Sequence, residues 1–450
     1  MFDNLSEDTN PSLTKFEQML KTNQVLFFDA LEFENIIHHY IDFAQFNLAK
    51  KAIKMGMEQH PQNVELMLLK SEILLMDEDY KKAEDMLNII EKISPEHEEI
   101  FLQRSNISSK KKDHLKAIEF LKKALEVTDE PSEIWNLLGM EYLFLEDYIK
   151  AKDFFYKCVK ENSHDYQSLY NLLYCYEQLG EDIEAINTLN NFLEINPYSE
   201  VAWHQLGKIY IKINKLEEAL SAFEFAIISD DCFTGAYIEK GNLLEQMGRL
   251  NEAIDNFEFS LNFTDPSAFV NHKIGVCHLK LGNDKLAIRY FEESIKLEPN
   301  HEKSWLALID FLIDTKDFLK AQYYVNKALQ SNSDNTDLWK KSALIHFELN
   351  YYEETAVGCE TAISLGNHDI QNWTMWMDSL MLVNDWQSAL KTGEQALQYH
   401  KKNAPILYRI AGCKFRLGDQ NEAQLIFNQI KNEIKIPRNI NHLFPELIKL

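Results

Sequence analysis

This chain is short of the residues that break helices. Its 450 residues include 14 glycines and 10 prolines, too few for a fold built on β-turns or for long unstructured linkers, so helix is expected throughout. Basic charge is also scarce. The 46 Lys and Arg against 71 Asp and Glu leave a formal net charge of −25, which argues against a duplex-binding surface and against an anionic membrane surface. Six cysteines (Cys158, Cys175, Cys232, Cys277, Cys359, Cys413) stand far apart with no C-x-x-C pair. That excludes a disulfide framework and a cysteine zinc site, and fits a reducing compartment. No apolar run is long enough to span a bilayer. Met1 to Asn10 is acidic and polar, unlike a signal peptide. The expectation is a cytoplasmic protein that neither binds nucleic acid nor inserts into membranes. Residues 401–450 depart from the acidic balance with nine Lys and Arg against four Asp and Glu, an end expected to be solvated or to meet an acidic partner.

What the chain has is a period. Alanine recurs every 34 residues from Ala49 through Ala83, Ala117, Ala151, Ala185, Ala219, Ala253, Ala287 and Ala321, is replaced once by Thr355, and returns at Ala389 and Ala423. With this alanine at site 20, twelve 34-residue units run from Ala30 to Pro437 without an insertion. Site 8 is small in most units (Ser71, Gly139, Gly207, Gly241, Gly275), site 4 is Trp or Tyr in six (Trp135, Trp203, Tyr237, Trp305, Trp339, Trp373), and site 24 is often phenylalanine (Phe155, Phe223, Phe257, Phe291, Phe427).

Sites 4, 7, 8 and 11 share one face of a helix, and sites 20, 24 and 27 share one face of a second. Small residues at 8 and 20 let the two backbones approach, and aromatics fill the space around them. Site 15 holds Gly180, Asn214, Gly248, Gly282, Asn350, Asn384 and Gly418, residues that tolerate the left-handed conformation ending a helix. Proline at site 32 (Pro61, Pro95, Pro197, Pro299) stops the second helix.

These residues resemble the tetratricopeptide repeat family over about nine-tenths of the chain. Trp203, Leu206, Gly207, Tyr210, Ala219, Phe223 and Ala226 reproduce its pattern in one unit, and phrases such as Asp79-Tyr80-Lys81-Lys82-Ala83 belong to it. The resemblance implies an all-α fold, a right-handed α-solenoid of twelve helix-turn-helix repeats stacked into a superhelix. The expected organisation is a capping segment at 1–29, repeats over 30–437 and a second cap at 438–450. Arrays expose an apolar face at each end that caps must cover. Thr14 and Glu17 have capping-box spacing ahead of Phe16, Met19 and Leu20, and Ile440, Leu443, Phe444, Leu447 and Ile448 recur at helical spacing around Pro445. Repeat 3 departs from the pattern, with Arg104 and Ser108 at sites 7 and 11.

No nucleotide-binding, metalloprotease or nucleophile-elbow motif is present. His38-His39 is the one histidine pair, and neighbours on a helix point apart, which makes a poor chelate. The segments outside the array are too short for a catalytic domain, so neither enzyme activity nor a cofactor is expected.

The resemblance places a peptide-binding groove at sites 2, 5, 9, 12 and 13 of each first helix, and their spacing sets them opposite the packing face. In repeats 5 to 8 this gives Tyr170, Tyr174, Gln178, His204, Lys208, Lys212, Ile238, Asn242, Phe269 and His272 as candidate contacts. Aromatic area, amides and lysines suit an extended or helical polypeptide of some acidic character. The lysine–asparagine clamp by which chaperone-binding members hold a terminal carboxylate is missing, because Leu102 and Ile238 stand where the lysine would. The expected function is a protein–protein interaction scaffold or assembly factor. The alternative is a regulatory sensor whose superhelix changes shape on binding a small peptide or metabolite.

Overall fold

The computed structural model of the chain describes residues 11–22, 26–263, 266–430 and 443–444, and among these the regular structure is helical, in twenty-five α-helices. After an N-terminal helix, Pro11–Thr22, the helices follow in pairs, such as Ser132–Phe144 with Tyr148–Glu161 in repeat 4 and Glu200–Lys212 with Leu216–Ser229 in repeat 6. The chain forms two compact units, Met1–Pro197 with repeats 1 to 5 and Tyr198–Leu450 with repeats 6 to 12.

The turn inside each repeat shows why the sequence folds this way locally. In repeat 4 the amide of Glu146 donates to the carbonyl of Leu143 at 2.9 Å and that of Asp147 to Tyr142 at 2.9 Å. This closes the first helix and requires a left-handed residue between. Asp147 then turns its carboxylate to the amide of Lys150, 3.2 Å away, and caps the second helix. Asp79, Asp113, Asp317 and Asp385 do the same in their repeats, which is the physical content of the Asp-Tyr-Lys-Lys-Ala type of phrase.

Site 15 has positive φ in all twelve repeats, including Ala44, Glu78, Lys112, Glu146 and Lys316, which are neither glycine nor asparagine. A left-handed non-glycine residue costs about 1–2 kcal/mol, and glycine gives back about 0.4–1 kcal/mol through the unfolded chain. Glu146→Gly is therefore expected to stabilise by about 0.5 kcal/mol. A thermal melt that is unmoved or lowered would show that the turn carries no such strain.

The site-20 alanines are buried throughout, and Thr355, the exception, is buried too, with its hydroxyl donating to the Tyr351 carbonyl at 2.8 Å. Site 8 meets site 24 inside each pair. A methyl group added to Gly139, Gly207, Gly241 or Gly275 would fall within 2.7 Å of the ring of Phe155, Phe223, Phe257 or Phe291 respectively. Repeat 3 accommodates Arg104 by burying it as an ion-pair centre. Its guanidinium donates to Asn88 at 2.7 Å, Glu91 at 2.9 Å and Glu84 at 3.1 Å on the preceding helix, Tyr80–Ile93, and the Ser108 hydroxyl donates to the Arg104 carbonyl at 2.9 Å.

At the N-terminal end, Phe16 and Met19 are buried, and the Phe16 ring lies 5.9–6.2 Å from those of Phe28, Tyr40 and Phe33. The helix begins four residues before the capping-box spacing suggests. Thr14 is its fourth residue and caps nothing, because Pro11, with φ already fixed near the helical value, takes the opening turn. A capping box does occur in the next helix, Ala30–Asp42, between Asp29 and Glu32. At the other end Phe444 is buried against Gly412, with its ring 5.6 Å from Tyr408. Ile440, Pro445, Leu447 and Ile448 lie outside the described residues.

Candidate peptide-binding groove

In the first unit the helix Tyr166–Leu179 presents Tyr170, Tyr174 and Gln178 on one solvent-facing row, with the tyrosines 42% and 46% exposed. The preceding repeat extends this row in a way the sequence reading missed. Tyr148 meets Tyr174 edge-on at 6.1 Å, Asn171 donates to the Met140 sulfur at 3.5 Å, and exposed Phe144 stacks on His114 at 5.1 Å. Site 13 was the available signal, since Phe144 stands there in repeat 4.

In the second unit the candidates divide. Lys208 and Lys212 lie exposed one turn apart on Glu200–Lys212. His204, one turn earlier, is held in packing. Its ring lies 5.3 Å from Phe233 and 5.8 Å from Phe223, and neither ring nitrogen has a hydrogen-bond partner. Burial, and then the charge of Lys208, push its pKa down to about 4, so the imidazole is neutral at physiological pH. Ile238 packs on the core around Leu243, Val270 and Ile274. Asn242 is half-buried, and its carbonyl oxygen is shut from solvent without a partner.

Phe269 is exposed, with the Lys273 ammonium 5.9 Å from its ring centre. His272, one turn on, is buried and bonds through Nδ1 to the Ser304 hydroxyl at 3.0 Å. That hydroxyl also meets Ser294 and His301, each at 2.8 Å. Burial, and then the neighbouring His301, push the His272 pKa down to about 4. Lys280, a further site-13 cation, is already engaged. Glu245 accepts from it at 2.7 Å and from Lys273 at 2.9 Å. Burial works against the Glu245 charge, but these two bonds hold its carboxyl below the usual range.

The basic end is partly spent internally as well. Arg409 pairs with Asp378, Lys414 with Glu422 at 2.8 Å, and Arg416 donates to the Leu443 carbonyl.

Thiol chemistry is disfavoured by position. Burial pushes Cys175 and Cys277 up to about 11 and Cys359 and Cys413 up to about 12, far from the low values of reactive thiols. Asp230, Asp231 and Cys232 bring three potential metal donors within 4.8 Å on an exposed loop. Hydrogen bonding with Asp231 raises the Cys232 thiol, against the thiolate a metal needs. Among the described residues no helix is long and apolar enough to cross a membrane.

The helix pairs, their 34-residue register and the placement of small and aromatic residues define a helical-repeat protein. Family comparison makes this specific: tetratricopeptide repeat models match residues 98–130, 132–165, 166–199, 201–227, 234–261, 268–301 and 380–435, together more than half of the chain. The chain belongs to the tetratricopeptide repeat family. Among solved structures it is similar to YrrB, a tetratricopeptide protein with an unusual peptide-binding site (19% identity, 41% of this chain and 94% of that one, TM-score 0.34). It is similar also to MamA (23% identity, 38% and 94%, TM-score 0.34). A third is a tetratricopeptide repeat protein from Parabacteroides merdae (15% identity, 55% and 98%, TM-score 0.34). No curated protein matches the chain.

Proposed function

We propose that this protein is a non-catalytic scaffold that holds another polypeptide on the first-helix faces of its repeats. The observation carrying this reading is the exposed pair Tyr170 and Tyr174, met edge-on by half-buried Tyr148. Large, rigid, amphipathic rings that remain exposed supply contact area at little entropic cost. Solvent-facing Lys208 and Lys212 give the second unit a cationic row suited to acidic segments of a partner. His204 and His272 maintain the shape of that unit, and Asn242 offers an unpaired acceptor to a backbone amide that displaces its neighbours.

The test is affinity capture from the source cell lysate with wild type, a Tyr170→Ala, Tyr174→Ala variant and a Lys208→Glu, Lys212→Glu variant, all with matched melting curves. Each buried aromatic anchor is worth about 2 kcal/mol, so the tyrosine variant is expected to lose captured partner at least about tenfold. The lysine variant is expected to lose it more steeply at low salt. Partners retained equally by both variants would remove the groove from the function, and no partner at all would turn the reading to the small-ligand sensor.

A further inference from the structure

In repeat 10 a cavity of about 720 Å³ opens beside the first helix, Thr336–Glu348. One wall is Asn326 and Leu329 of the second helix of repeat 9, Phe318–Ser331. The other is Glu353 and Glu354 of the second helix of repeat 10, Tyr352–Ser364. Ser342, Trp339 and His346 of the first helix complete the lining. Ser342 explains the opening. It stands at site 7, where the eleven other repeats carry Leu, Ile, Lys, Arg or Trp, and only here does the side chain stop at a hydroxyl.

Two of the filled positions show what the site can hold. Arg104 at site 7 of repeat 3 donates to Asn88, at site 25 of the repeat before it, at 2.7 Å. Lys240 at site 7 of repeat 7 lies 3.1 Å from Glu224, again at site 25 of the preceding repeat. In repeat 10 the site-25 acceptor is in place as Asn326 and the cation is missing. Opposite it stand Glu353 and Glu354, which have no ion-pair partner among the described residues.

The Trp339 indole N–H is taken by the Ser333 carbonyl at 2.7 Å, which fixes the ring and leaves its π face. His346, within 3.3 Å of the Ser342 hydroxyl, is kept below its ordinary pKa by burial, against a smaller opposing effect of Glu354, and so does not repel a cation at neutral pH.

We propose that this cavity is a docking slot for an arginine side chain presented by a partner polypeptide. A planar guanidinium matches an amide oxygen, two carboxylates and an indole face better than an ammonium does, and the chain's net charge of −25 favours a basic partner here. The slot uses sites 4, 7 and 11, the face away from sites 5 and 9, so it is independent of the proposed groove and either can fail alone.

The test titrates the whole chain with N-acetyl-arginine amide and follows the Trp339 indole N–H resonance, assigned by Trp339→Phe. A saturable shift is expected, at least tenfold weaker with the neutral isostere N-acetyl-citrulline amide and with the Glu353→Gln, Glu354→Gln variant. Ser342→Arg, which fills the slot from within, is expected to abolish the shift and to raise the melting temperature. The slot is refuted by an unmoved resonance, by citrulline matching arginine, by wild-type binding in the glutamine variant, or by a shift that persists in a folded Ser342→Arg chain.

Discussion

Asp378→Ala is expected to destabilise the protein by about 3–5 kcal/mol. Asp378, on Ile370–Leu382, and Arg409, on Ala404–Arg416, form a bidentate pair at 2.6 and 2.8 Å, and their side chains are 5% and 6% exposed. Arg409 also donates to the Pro405 carbonyl at 2.9 Å, which leaves its fork fixed in place. Removing the carboxylate strands a guanidinium that cannot lose its proton and cannot reach water without unpacking the first helices of repeats 11 and 12. The buried thiols nearby, Cys359 and Cys413, offer no substitute anion, because burial holds their pKa near 12. The pair as a whole need not be strongly stabilising. Asp378→Leu with Arg409→Met is expected to recover most of the loss, since a packed apolar pair of similar volume replaces a buried ion pair at little cost. Denaturant unfolding of the three chains checks both statements. An Asp378→Ala midpoint within error of wild type would mean that the pair is solvated in solution.

That pair also marks where reading the sequence stopped. Contacts inside one repeat are periodic and were visible. The alanine register, the left-handed site 15 and the small residues against aromatics all follow from one 34-residue template repeated, and the backbone obeys site 15 even where Glu146 or Lys316 occupies it. Contacts between repeats depend on which two non-periodic residues meet across roughly one period. Asp378 and Arg409 are 31 positions apart at sites 9 and 6, and Arg104 finds its partners 13 to 20 positions back. Neither spacing has a motif. Two of the groove candidates are enclosed for a related reason. His204 and His272 sit at a site that faces outward on an isolated helix, yet Phe233 in one case and Ser304 of the next repeat in the other enclose them. Tyr170 stays exposed at that same site, and Tyr174 one turn on at site 9. Thr14 misled because a capping-box spacing is short enough to arise inside a helix that proline has already begun.

The largest packing effect is expected from Gly207→Leu, a loss of about 3 kcal/mol. A first methyl group there would lie 2.6 Å from the Phe223 ring, which is fully buried and has nowhere to retreat. The repeats themselves fill sites 8 and 24 in several ways. Phenylalanine at 24 goes with glycine at 8 in repeats 4, 6, 7 and 8. Repeat 11 inverts the arrangement with Met377 and Gly393, where an added methyl would meet the Met377 terminal carbon at 2.5 Å. Repeat 5 places leucine at both sites, Leu173 and Leu189. Repeat 12 combines Ala411 with Phe427, whose ring is 7% exposed. Gly207→Leu combined with Phe223→Leu copies the repeat 5 solution and should regain most of the lost stability, a coupling that additive mutations cannot produce. Because a repeat array can unfold in parts, the readout is amide hydrogen exchange in repeats 6 and 7 together with the global melt. Protection lost in the single variant and restored in the double would establish that the pair is read by volume. A double variant no better than the single would mean that glycine is required for backbone approach in its own right, with the helix Leu216–Ser229 unable to sit against a side chain of any size at that point.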